Sequence, residues 1–180
     1  MKHEKTLKML ILSAVFAALI SVSAFIRIPL PPVAFTMQGM VAILSGLLLG
    51  KKYGTFSVGI YIIAGLLGLP VFSQGGGIWY LLNPTFGYII GFLAAAFIAG
   101  SIVNKAKEPS YLRLIAAAIT ATASVYIVGV LYFCLIKILY LKETLDFSYI
   151  LIYCVAVFVP KDVAGCIIAA LATKKIKKHI

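Results

Sequence analysis

About six long apolar runs follow one another along the chain, separated by short polar, glycine-rich or proline-rich breaks. Their spacing predicts helices over 7–26, 35–49, 56–69, 84–103 and 114–140, and a last one running from near Pro160 into the C-terminal lysines. The first run is about twenty residues, enough to cross roughly 30 Å of hydrocarbon. Its basic start and Ser21-Val22-Ser23 end imitate a secretory signal, but it exceeds the usual apolar core of about 7–15 residues. Pro29, Pro31 and Pro32 forbid helix after it, because proline removes the backbone donor and restricts the preceding residue. Residues 50–55 leave room only for a tight turn. The apolar stretch 147–173 is interrupted by Pro160-Lys161-Asp162, where proline suits a first helical turn and a carboxylate favours the positive end of the helix dipole. Residues 149–159 then read as a partial helix or re-entrant segment, tolerated at depth only where protein buries it or it lines a cavity.

Charge adds orientation. Lys2, Lys5, Lys8, Lys51, Lys52, Lys105, Lys107, Arg113, Lys174, Lys175, Lys177 and Lys178 all fall on one side of this arrangement. The other side has Arg27, Lys137 and Lys142, and Lys161 lies within an apolar run. Short loops rich in lysine and arginine stay cytoplasmic, so both termini are expected inside a multi-pass membrane protein. The expected fold is an all-α integral membrane protein, a six-transmembrane-helix bundle, with residues 1–180 as one domain.

Composition agrees. The chain is 63% hydrophobic and only 12% charged, with a mean hydropathy of +1.10. A soluble domain carries about 25% charged residues. A net charge of +11 would suggest nucleic acid in a soluble protein, but here loop charges that set orientation account for it. Cys134, Cys154 and Cys166 lie in apolar runs without metal-ligand spacing and read as reduced, buried thiols.

Two polar features stand out at the expected outer end. The stretch from Pro70 to Asn83 combines three successive glycines with Phe72, Trp79 and Tyr80. It reads equally as an interfacial loop with an aromatic belt or as a lid with aromatic walls. Asp162 is the only acid within an apolar run, and such residues are candidates for a functional site. The other reading is a helix cap paired with Lys161. Asn83, before Pro84, has the same two readings, because its amide can cap a helix or serve a ligand as donor and acceptor.

Enzymatic machinery is not expected. The histidines, His3 and His179, sit in charged termini, and no carboxylate pair, HExxH or GxxxxGK[ST] occurs. A channel or pump would need several intramembrane acids or a repeated filter sequence. What remains is a receptor for a small molecule with an apolar body and an amide-like head. No metal or cofactor is implied.

Three motifs carry a family resemblance. They are Ile28-Pro29-Leu30-Pro31 followed by Phe35-Thr36-Met37-Gln38 and Leu44 to Gly50; Gly65-Leu66-Leu67-Gly68-Leu69-Pro70-Val71-Phe72 with Asn83-Pro84-Thr85-Phe86-Gly87-Tyr88; and Val159-Pro160-Lys161-Asp162. In this order they resemble the BioY family, the biotin-specific substrate-binding (S) components of energy-coupling factor (ECF) vitamin transporters. The resemblance implies a six-helix S component that binds biotin on its extracellular side. Uptake is then completed by a transmembrane coupling subunit (EcfT) and two cytoplasmic ATPases. It implies substrate contacts from Asn83 and Asp162 to the ureido ring, with Phe72, Trp79 and Tyr88 packing on the fused rings and Thr36 and Gln38 nearby.

One position departs from the family pattern Gly-Asp-x-x-Lys, in which aspartate and lysine face the ligand. Asp162 matches, but Gly165 stands at the lysine position and Lys161 at the glycine position. On a helix Lys161 points about 100° away from Asp162. Either it reaches back from the helix start, or the ureido carbonyl uses another donor such as Asn83.

In the first span, Ala14 and Ala18 are four apart, with Ala17, Ser21 and Ala24 on or near the same face. Small residues so spaced admit a close helix. The resemblance implies docking of the coupling subunit at Ala14-x-x-x-Ala18; packing within the bundle is the other reading. The remaining functional alternatives are an S component for another vitamin, a stand-alone biotin facilitator, and a non-transport membrane scaffold.

Overall fold

The computed structural model describes residues 2–30, 32–104, 108–144 and 146–177. Pro31 of the first motif, and Lys105, Lys107 and Lys178 among the orienting charges, lie outside the described residues.

Helix α1, Lys2–Ser23, turns Ser13, Phe16, Ala17 and Ile20 inward, the i, i+3, i+4, i+7 stripe of a helix packed on one side. A short hairpin follows. Strands β1, Arg27–Ile28, and β2, Phe35–Thr36, pair antiparallel with Arg27 opposite Thr36 and Ile28 opposite Phe35. The prolines between them explain why this segment is extended rather than helical.

Helix α2, Gln38–Leu66, consists of two helical arms joined at Gly50, whose φ of 76° and ψ of 178° are not helical. The chain reverses there. The Ser45 hydroxyl donates to the Gly54 carbonyl at 3.2 Å, a separation that nine residues of straight helix would never allow. Glycine is required at the turn by its backbone and by Asn104, whose side chain would lie 2.6 Å from a Cβ at position 50.

Helix α3, Phe86–Val103, is the centre of the bundle, with Ala95, Ala96 and Ala99 fully buried. Helix α4, Tyr111–Leu135, begins at Ser110, whose hydroxyl accepts from the Arg113 amide at 3.3 Å, and continues into a π turn over Ile136–Tyr140. The segment expected as a partial helix or re-entrant piece is helical. It comprises α5, Phe147–Leu151, and a π turn over Ile152–Ala156, and runs through 157–158 into α6, Val159–Ile176, with Pro160 in its first turn.

Among the described residues, four helical stretches are long and apolar enough to cross a membrane: His3–Ser23, Phe86–Val103, Tyr111–Tyr140 and Ser148–Ile176. Lys51, Arg113 and Lys174 gather at one end of the bundle, where Gly100 packs on Lys51, Lys174 donates to the Pro109 carbonyl at 3.0 Å and Arg113 to that of Ile102 at 3.0 Å. Cys154 and Cys166 are buried free thiols, and Cys134 is half-buried.

Candidate functional site

The end of the bundle opposite those lysines holds a cavity of about 70 Å³. The hairpin roofs it with Val33, Ala34 and Thr36, while Gln38, Gly39 and Ile43 of α2 form one wall. Thr85, Tyr88, Ile89 and Phe92 come from the start of α3, Thr122, Val125 and Tyr126 from α4, and Phe158, Lys161 and Asp162 from α6. Ser73 and Tyr80 reach its rim. Most of this surface is apolar or aromatic, with a few convergent polar groups, as in sites for small organic molecules.

The polar centre is Asp162. Its carboxylate lies 2.7 Å from the Lys161 ammonium through one oxygen and accepts the Tyr126 hydroxyl on the other. Lys161 also donates to the Thr36 carbonyl at 2.9 Å and sits 4.9 Å from the centre of the Phe35 ring. Position 161 thus bends back over the helix start into the cavity, the first of the two arrangements its position allowed. It also ties α6 to the hairpin. The charges compensate each other, as side chains only 15% and 18% exposed require.

Gln38 is buried, and its amide N–H donates to the Tyr61 hydroxyl, leaving its carbonyl oxygen as an acceptor at the cavity. The Tyr88 hydroxyl donates to the Cys154 carbonyl at 3.1 Å, so Tyr88 offers the cavity its ring.

Three expected site residues do not line the cavity. Trp79 is 80% exposed and points away from the bundle. Phe72 is buried in an aromatic cluster with Tyr61, Tyr80 and Phe86, directly over Gly65. Asn83 donates its amide to Gln74 at 3.0 Å and accepts from the Thr85 amide and hydroxyl at 2.9 and 2.8 Å, an arrangement that sets the chain entering α3. The glycine-rich stretch is correspondingly anchored. Gly77 donates to the Gly65 carbonyl at 2.7 Å, and Phe72 and Gly75 bond each other through the backbone. The element that covers the cavity is instead the hairpin of β1 and β2.

Sequence reasoning missed Tyr126, Thr85 and Phe158. Tyr126 had one signal, a phenol inside an apolar span, which needs a buried partner. The α1 stripe also divides: Ala14 and Ala18 are exposed, while Ala17 and Ala24 face the bundle. No group of three histidine, cysteine or acidic side chains suited to a metal occurs among the described residues.

The sequence pattern described as the BioY family matches residues 1–180. A protein named probable biotin transporter BioY from Lysinibacillus sphaericus is 39% identical over 178 residues, covering 99% of this chain and 90% of the relative. The biotin transporter BioY of Thermotoga maritima is 43% identical over 125 residues, covering 69% and 73%. Among solved structures, the S component for biotin from an ECF-type ABC transporter superposes with a TM-score of 0.83 at 28% identity, covering all of this chain and 96% of the other.

Proposed function

The chain belongs to the BioY family, and we propose that it is the biotin-binding S component of an ECF-type vitamin transporter. The observation that carries this reading is the Lys161–Asp162 pair at one end of an otherwise apolar, aromatic-walled cavity. Biotin's ureido ring offers two N–H donors and a strong carbonyl acceptor. Asp162 accepts from the first, Lys161 donates to the second, and the Gln38 carbonyl is a further acceptor. Tyr88 and Phe158 pack on the fused rings. Asn83 supports the site by fixing Thr85 at its wall.

The cavity is smaller than the roughly 300–1,000 Å³ of sites that enclose a comparable molecule. Binding therefore opens it. The hairpin that roofs it, held to α6 by the Lys161–Thr36 bond and by Phe35 stacked on Phe158, is the element that must move.

The two arms of α2 supply two membrane crossings beside α1, α3, α4 and α6, giving six. The lysine-rich end faces the cytoplasm with both termini, and the cavity faces outward. Import needs energy that this chain cannot supply, since it has no phosphate-binding loop. A transmembrane coupling subunit (EcfT) and two cytoplasmic ATPases provide it, with Ala14 and Ala18 as the docking face. Their exposure supports this placement.

Gly165 favours a second reading, an S component for another vitamin, because the family's ligand-facing lysine is missing there. Calorimetric titration of the purified chain with biotin and a panel of other vitamins tests both. Saturable binding of biotin alone is expected, and binding of another vitamin in its place would overturn the proposal.

A further inference from the structure

On the flank between the second arm of α2 and α3 runs an open groove unconnected to the cavity. Lys52, Thr55, Phe56 and Gly59 form its α2 edge, a continuous i, i+3, i+4, i+7 stripe, and Leu93 and Phe97 form its α3 edge. Phe56 and Phe97 are about half exposed. Gly59 is the floor: a Cβ placed there meets nothing within 4 Å. At one end stand Lys51 and Lys52, both exposed. Their backbone is fixed because Gly100 of α3 packs against Lys51, 2.3 Å from where a Cβ would stand, and the Lys52 ammonium lies 5.5 Å from the centre of the Tyr53 ring. The Thr55 hydroxyl, one turn into the groove, has no hydrogen-bond partner among the described residues.

We propose that this groove binds an anionic phospholipid, with its phosphate and headgroup on Lys51 and Lys52 and one acyl chain between Phe56 and Phe97. Two adjacent cations at the end of an apolar channel match a lipid, with charge at one end and hydrocarbon along the rest. A zwitterionic lipid would fill the channel equally well, but its choline cation would cancel the phosphate charge that the two ammonium groups attract.

The test equilibrates the detergent-purified chain with equal amounts of phosphatidylglycerol and phosphatidylcholine of identical acyl chains, then measures the retained lipid. Phosphatidylglycerol should be retained roughly five- to thirtyfold over phosphatidylcholine. Lys51→Gln with Lys52→Gln should bring the ratio near one, and Gly59→Leu, which fills the floor, should lower retention of both lipids. Biotin binding by each variant reports that it is folded. A ratio near one in the native chain, or unchanged retention in both variants, overturns the proposal. So does displacement of phosphatidylglycerol by soluble glycerol phosphate, which would mean a phosphate site without an acyl channel. If Gly59→Leu leaves lipid retention intact but removes co-purification with another membrane subunit, the groove docks a helix and the lipid assignment fails.

Discussion

Lys161 and Asp162 are neighbours in sequence, yet the ammonium of one lies 2.7 Å from the carboxylate of the other. Adjacent helical side chains leave about 100° apart and ordinarily do not meet. They meet here because the flexible lysine stem, in the first turn of α6 just after Pro160, folds across toward the hairpin rather than outward. The Thr36 carbonyl and the Phe35 and Phe158 rings then hold the ammonium over the cavity.

Removing the carboxylate takes away the ligand's acceptor and leaves Lys161 and Tyr126 without their shared partner. Losing a partner for a buried polar group costs about 1–3 kcal/mol, so Asp162→Ala should weaken biotin binding roughly tenfold to a hundredfold. Asn83→Ala should also weaken it, through the turn that sets Thr85. Titration calorimetry on monodisperse protein measures both. Affinities equal to the native value in both variants would remove these residues from the site.

Lys161→Ala should weaken binding by roughly tenfold, the loss of one charge-assisted hydrogen bond. Adding Gly165→Lys should recover part of it. The atoms nearest a Cβ at position 165 belong to Met40, at 3.4 Å or beyond, an ordinary contact distance, so a lysine can start there in the family's usual place. Normal binding by Lys161→Ala would mean that the lysine serves only as a tie between α6 and the hairpin.

The bundle was legible because each crossing needs a long apolar run, and runs are visible without contacts. Asp162 and Lys161 were legible for the converse reason, since a charge inside such a run stands out. Tyr126 was not, because a phenol in an apolar span fits any periodic pattern and only its partner on α6 gives it a role. The prolines of 29–32 excluded helix but could not show a hairpin pairing Arg27 with Thr36. Phe72 and Trp79 looked alike as loop aromatics. They separate in space because Gly65 leaves room for one ring in the core, while nothing receives the other.

That fit makes Gly65 a test of the anchored 70–83 stretch. A methyl group there would stand 2.1 Å from the Phe72 ring, which is enclosed by Tyr61, Tyr80 and Phe86 and has nowhere to move. Gly65→Ala should lower stability by about 1–3 kcal/mol and weaken biotin binding through displaced Tyr80. Thermal unfolding in detergent, with and without biotin, measures both. An unchanged melting temperature would mean that the stretch is loosely held and free to act as a lid.

Docking can be separated from binding on α1. Ala14 and Ala18 are exposed, one helical turn apart, while Ser13, Phe16, Ala17 and Ile20 of the same helix face the bundle. Large side chains at 14 and 18 therefore leave internal packing intact but stop another helix from approaching closely. Ala14→Trp with Ala18→Trp should bind biotin with native affinity in isolation, yet lose co-purification with the coupling subunit and lose ATP-driven uptake. Neither alanine lines the cavity, so the two properties should change independently. A double variant that still assembles and transports would move the docking face to another helix. One that loses biotin binding would show that α1 supports the cavity; Ala14→Leu and Ala18→Leu, tested singly, would then locate the dependence.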